Sequence, residues 1–426
     1  MHAHKRIVLL AACAAALTAT AEAAAAQAVA PTAQGASVPL DYRRTPPFRN
    51  DPFRQLFMPG WGVMFSGGLT AENSALQVRD LQRFTLDDRD AVVINNVVNA
   101  LEAVPGGSPV VGNVQGEGGL SLGGPLFRFL RIGVSAQGRA FGAFRASEDA
   151  VVLLRDGLGG QTDFTIGDTR GSALATSEFG LHALLRFGAL EAMEGAQLNI
   201  GVGGRYMRPL AYGRGQSLID SRLAIIGDSI AANVLVERAV TPQLGMDHGS
   251  GVVGDFLVRV VWPGSGFALE GMIANVGGVS VGRVERQTLG FFLQTTNLSE
   301  VNDSLSTVGF QVQDTVAMDI TLPRIVRFAG SAWANAVLQL DAGATLPVEG
   351  EFGYPLAVDV TSTWRFVPVL PLRIGVLLGG HQRFGYMAGM GVESRHFLLR
   401  LSAGSLGGLF GDARGVSGRF DLGLFF

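Results

Sequence analysis

One stretch, Ile225-Ile226-Gly227-Asp228-Ser229-Ile230, has the residue types and spacing of a nucleophile. An apolar run into Gly-Asp-Ser would deliver a hydroxyl onto a turn, where a His base could take its proton. The partner is missing at the spacing this needs, because His396 has Glu393 three residues before it, not Asp. His182, His248, His381 and His396 are too scattered for metal-ligand spacing. A strand leading into a polar bend accounts for the stretch as well. The expectation is no catalytic residue, no metal and no cofactor.

A second set carries charge. Arg131, Arg186, Arg205, Arg259, Arg373, Arg383, Arg400 and Arg419 fall on the polar parity of alternating segments, as do Glu117, Asp255, Asp359, Glu393 and Asp421. If those segments are strands, these side chains share one face. They could line a polar pore or cross-brace a wall, and the pattern leaves both readings open.

The elements that would position them read as strands. Val416, Gly418, Phe420, Leu422, Leu424 and Phe426 alternate with Ser417, Arg419, Asp421, Gly423 and Phe425, and the chain ends there. Alternation over about ten residues marks a lipid-facing barrel strand. The same period recurs around Phe397–Ala403, Phe384–Val392, Leu372–Leu378, Leu356–Phe366, Val252–Trp262, Leu198–Tyr206 and Phe179–Phe187. Trp262, Trp364, Phe366 and Phe384 lie near segment ends, where an aromatic girdle would place them. The reading is an all-β transmembrane antiparallel barrel of about 14 strands, 12–16 allowed, since single-chain barrels use even numbers.

Composition agrees. Of 426 residues, 47% are hydrophobic, only 16% are charged and 59 are Gly. No segment beyond the first 26 residues reaches the roughly 20 apolar residues of a membrane helix. A closed barrel is the other structure that satisfies its backbone in lipid.

The first 26 residues read as a cleaved signal peptide. Lys5-Arg6 precedes a short apolar run, and Ala24-Ala25-Ala26 precedes Gln27. Leu10-Ala11-Ala12-Cys13 resembles a lipoprotein box, so lipidation at Cys13, the single cysteine, stays open. Removing residues 1–26 takes two of 33 cations and one of 36 anions, leaving a net charge of about −4 and no basic patch for nucleic acid. Residues 27–60 are rich in Pro and Arg and lack periodicity, as a lumen plug or a loose leader would. Thr85 with Asp88 forms a capping box ahead of Ala91, Ile94, Val98 and Leu101, which predicts a helical insertion near 86–104. A second short helix is expected from Ser147 to just before Gly157.

Ser177-Glu178-Phe179-Gly180-Leu181, Gly201-Val202-Gly203-Gly204-Arg205-Tyr206, Gly249-Ser250-Gly251 and Ile273-Ala274-Asn275-Val276-Gly277 together resemble a group of outer-membrane barrels related to FadL-type, PorV-type and TraF-like proteins. Thr321-Leu322-Pro323 and Leu372-Arg373-Ile374-Gly375 extend the match over residues 60–426. The resemblance implies a 14-stranded barrel with helical insertions. FadL-type relatives pass hydrophobic small molecules, and PorV-type relatives assist secretion. The 225–230 stretch resembles the nucleophile block of GDSL-type esterases, but the downstream Asp-x-x-His is absent, and Val301-Asn302-Asp303 lacks the Gly of a further block.

The expected function is passive transport of small apolar or amphipathic compounds across the outer membrane of a Gram-negative-type bacterium. The alternative is a scaffold for protein secretion or envelope assembly. The expected partners are outer-membrane lipid, the barrel assembly machinery reading Phe420, Leu422, Leu424 and Phe426, and a small hydrophobic ligand, with no nucleic acid.

Overall fold

The structure, a computed structural model, describes residues 51–426 except 59, 76, 78–107, 157–161, 191–194, 219–220, 227–228, 296–306, 336, 347–349, 354 and 382. The helix expected near 86–104 lies outside the described residues.

A 3-10 turn at Arg54–Phe57 precedes β1 (Gly62–Asn73), β2 (Val110–Phe127) and β3 (Leu130–Ala146). Helix α1 (Glu148–Asp156) follows, capped by Ser147, whose hydroxyl accepts from the Ala150 N–H. Next come β4 (Asp163–Thr165), β5 (Arg170–Leu190), β6 (Ala196–Ser217), β7 (Arg222–Ile226), β8 (Ser229–Val240), β9 (Gly249–Trp262) and β10 (Phe267–Thr295). The chain continues through β11 (Thr307–Thr321), β12 (Ile325–Trp333), β13 (Leu338–Thr345), β14 (Ala357–Val367) and β15 (Leu370–Gly379). It ends with β16 (Phe384–Glu393), β17 (Phe397–Leu406) and β18 (Gly415–Phe425).

These segments make 14 lanes of one closed antiparallel sheet. β8 and β9 follow one another along a single lane between β6 and β10. β11 and β12 do the same beside β10. β4 and β7 pair with each other and, through β7, with β8, forming a small extension off the barrel. Closure is direct: β1 pairs β18 from Gly62↔Phe425 to Glu72↔Gly415, so the first and last strands are not edges of the barrel wall.

The two ends differ. At the end carrying the start of β1 and the end of β18, connections are tight, as between β2 and β3 or β14 and β15. Trp262 packs on Phe267, Trp364 stacks on Phe366 and Phe127 on Phe129 there, giving a ring of aromatics at one interface. Phe384 meets Tyr386 at the opposite end. Long connections lie at that opposite end, as between β1 and β2 or β13 and β14. Short turns at one end and longer connections at the other are the asymmetry of an outer-membrane-type barrel.

The strand period explains the two faces. Phe65, Leu69, Leu120, Phe179, Leu181, Val252, Phe328, Ile374, Met390 and Leu401 point outward and are exposed. A surface this continuously apolar is unsuited to water and fits a bilayer. Their neighbours in sequence point inward and are buried or partly buried, many of them charged.

Candidate functional site: the lumen

The lumen is layered. At the end with long connections lies a polar mouth of about 350 Å³, lined in part by Asn113, Arg145, Arg170, Arg214, Glu351 and His381. Beside it the inward residues turn apolar: Phe141, Leu174, Met207, Tyr212, Val253, Val279, Val281, Ile320 and Phe352 form one buried cluster. Phe352 enters from the β13–β14 connection and meets Phe141, ring to ring at 5.8 Å.

Next comes a charged layer. Arg205 lies at its centre, with its Nε and Nη2 donating to Asp255 at 2.8 and 2.7 Å and its Nη1 to Glu178 at 2.6 Å. Asn275 accepts from Arg205 Nη2 at 2.5 Å and from Arg139 at 3.1 Å. It also donates its backbone N–H to Asp255 and its side-chain N–H to the Pro323 carbonyl. Asn275 does so from the left-handed region, φ 62°, inside a bulge where the β9–β10 register jumps from Ile273 to Val276. Asn tolerates that conformation better than most residues. His182 completes the group, its Nε2 3.3 Å from Asp255. Gly203 makes room for the imidazole, since a Cβ there would sit 2.1 Å from the ring.

On the other side of the barrel, Glu393 gathers Arg400 at 2.6 Å, Arg373 at 3.3 Å and Arg365 at 3.4 Å. Arg419 reaches Glu117 at 3.2 Å and Asp421 at 3.6 Å. Arg327 forks onto Asp359 at 2.5 and 2.9 Å. Glu393 faces guanidiniums of the strands on both sides, Asp359 and Glu117 reach across one intervening strand, and these charge-assisted bonds tie the strands together.

Below this layer sits the N-terminal segment. Phe53, Leu56 and Phe57 are buried against Leu184, Leu257, Met272, Ala274 and Ile325. Phe53 meets the His182 ring edge-on at 5.5 Å. Arg259 lies 5.3 Å over the Phe57 ring and 3.9 Å from Glu270. Arg54 pairs with Asp421, and Arg131 donates to the carbonyls of Met58 and Gly60 as the chain leaves the lumen. Residues 53–58 thus lie inside the lumen at the level of the lower strands.

Of the residues singled out from the sequence, Arg131, Arg205, Asp255, Arg259, Asp359, Glu393, Arg400 and Asp421 are inward and buried. Arg373 and Arg419 join them, with side chains 16% and 8% exposed. Arg186 is partly buried at the lower end of β5, its N–H donating to Phe129. Arg383 does not line the lumen. It sits exposed in the β15–β16 turn at φ 69°, because the chain reverses one residue before its strand parity applies. Phe420, Leu422, Leu424 and Phe426 all face outward. Arg139, Glu178 and Arg327 were missed, although alternation with outward Phe179 and Phe328 would have placed Glu178 and Arg327. Arg54 lies in aperiodic sequence and carried no such signal.

Ser229 opens β8 on the extension, whereas His396 lies exposed in the β16–β17 turn at the opposite end of the barrel. The two cannot form a dyad.

No family model matches the chain, and no curated protein is similar to it. Solved structures with a similar course include the Ralstonia pickettii toluene transporter TbuX, at 9% identity and TM-score 0.44, covering 87% of this chain and 90% of that one. The P. putida toluene transporter TodX is similar at 10% identity and TM-score 0.44, covering 89% and 93%. A Pseudomonas aeruginosa FadL homologue is similar at 11% identity and TM-score 0.42, covering 89% and 93%.

Proposed function

We propose that the chain is an outer-membrane barrel that passively passes small apolar or amphipathic molecules. The observation that carries this is the inward apolar cluster next to the polar mouth. A water-filled pore has a polar inner face. Here Leu174, Met207, Val253, Val279 and Ile320 point into the barrel instead. Such a surface offers an apolar solute about 25 cal/mol for each Å² it removes from water. Ions gain nothing from it, and the plug closes the lumen below. The charged layer then acts as bracing that keeps the wall rigid around the apolar chamber.

Export and assembly belong to the same reading. Removal of residues 1–26 would start the mature chain at Gln27. The outward row Phe420, Leu422, Leu424, Phe426 supports recognition of the last strand by the barrel assembly machinery, followed by contact with outer-membrane lipid.

The test uses refolded mature protein and a fluorescent apolar probe such as N-phenyl-1-naphthylamine. Saturable binding that is lost in Leu174→Asp and Met207→Asp, with folding checked by gel migration before and after boiling, is the expected result. Steady ion conductance in a planar bilayer without probe binding would replace this reading with a polar pore. Silence in both assays would favour a scaffold.

A further inference from the structure

Arg373, Gly389, Ser402 and Arg419 form one inward row across β15, β16, β17 and β18: Arg373 faces Gly389, Gly389 faces Ser402, and Ser402 faces Arg419. Strands lie about 4.8 Å apart, so two long cations stand roughly 14 Å apart with two small residues between them. The space so left is a cavity of about 40 Å³, with Arg400 and Asp421 also in its wall and Arg54 of the plug beside it, so one carboxylate stands among four guanidiniums.

Charge in this niche is unbalanced. Arg54, Arg365, Arg373, Arg400 and Arg419 draw on three carboxylates, Glu117, Glu393 and Asp421. Asp341, which accepts from Ser331 and Gln339, is a fourth carboxylate within electrostatic reach of Arg373, which leaves five guanidiniums for four carboxylates. Arg400 is 4% exposed, and its Nε is committed to Glu393. Its Nη1 and Nη2 are buried without an acceptor. A buried guanidinium with unmet donors is costly, and an anion beside it removes that cost.

We propose that the niche is a binding site for a compact monovalent anion, which accepts from Arg400 and is flanked by Arg373, Arg419 and Arg54. A water needs on the order of 10–15 Å³ of such space, so the cavity suits a halide or a single carboxylate group and is too small for a sugar acid. Because Arg54 belongs to the plug and the other three to the wall, the bound anion ties plug to barrel. Plug docking thus becomes sensitive to the anion.

The experiment is thermal unfolding of the refolded mature barrel in detergent, titrated at constant ionic strength with sodium chloride or sodium formate against sodium gluconate. A ligand that binds only the folded state raises the midpoint saturably. The expected result is a saturable rise with chloride, formate or both, and none with gluconate. Chloride alone identifies the halide as the occupant, and formate alone the carboxylate. Arg400→Gln abolishes the rise. Ser402→Asp, which places a carboxylate in the niche, raises the midpoint without added anion and also abolishes the response. Equal action of chloride, formate and gluconate, or an unchanged saturable rise in Arg400→Gln, overturns the site. If Arg400→Gln fails to fold, a full chloride response in Ser402→Asp overturns it as well.

Discussion

Arg54, carried by the N-terminal turn, pairs inside the lumen with Asp421 on the last strand, so the start of the described chain is fastened to its end. Asp421 in turn lies opposite Arg400 in the β17–β18 register and near Arg419. The plug is therefore attached to the strand that closes the barrel.

Breaking this pair should free the plug. Removing one partner of a buried ion pair costs about 3–5 kcal/mol, because the other charge stays buried. Arg54→Ala is expected to turn a silent barrel into one with intermittent conductance in a planar bilayer and to speed hydrogen exchange at residues 53–58. Unchanged exchange in the variant would mean that Phe53, Leu56 and Phe57 hold the plug alone.

Asn275 should be intolerant of substitution. Asn275→Ala removes acceptors from Arg139 and Arg205 and leaves a β-carbon in the left-handed region. Lost bonds to charged donors cost about 1.5–3 kcal/mol, and the backbone adds about 1–2. Asn275→Gly loses only the bonds, so its urea midpoint should fall between those of wild type and Asn275→Ala. Equal midpoints for the two variants would remove the backbone contribution.

Neighbouring glycines on β6 should behave oppositely. A Cβ at Gly203 meets His182 at 2.1 Å, whereas one at Gly204 meets nothing closer than 4.0 Å. Gly203→Ala is expected to destabilise the barrel by about 1–3 kcal/mol, the usual range for overpacking. Gly204→Ala should stay near wild type. Thermal migration shifts on gels would compare them, and equal losses would show that the imidazole can move aside.

Phe426 is 77% exposed and packs little on its own chain. Phe426→Ala should therefore refold in detergent at a wild-type midpoint while accumulating poorly in the outer membrane of cells. A normal cellular yield would remove the terminal Phe from the assembly signal.

Strand alternation was legible because it is local. A period of two assigns inward and outward faces from the strand's own residues. The face carrying Arg205, Asp255, Arg400 and Asp421, a strand count of 12–16 that brackets the 14 lanes, and the outward row ending at Phe426 all follow from it. So does the break in pattern before β1. The error at Arg383 has the same root: parity holds only within a strand, and a turn resets it.

Partnership was not legible, because it depends on which strands lie side by side and in what register, and that is settled by contacts across the whole chain. Nothing near Arg205 in sequence selects both Glu178 and Asp255. Nothing near Asn275 marks it as the group that joins Arg139, Arg205, Asp255 and Pro323. Arg54 sits in sequence without a period, and only closure of the sheet brings Asp421 to it. The residue types and their alternation determined by themselves a membrane barrel with a charged interior. Folding in three dimensions decided which charges meet, which donors of Arg400 are left without an acceptor, and that residues 53–58 pack inside the lumen, since those outcomes depend on distances between residues far apart in the chain.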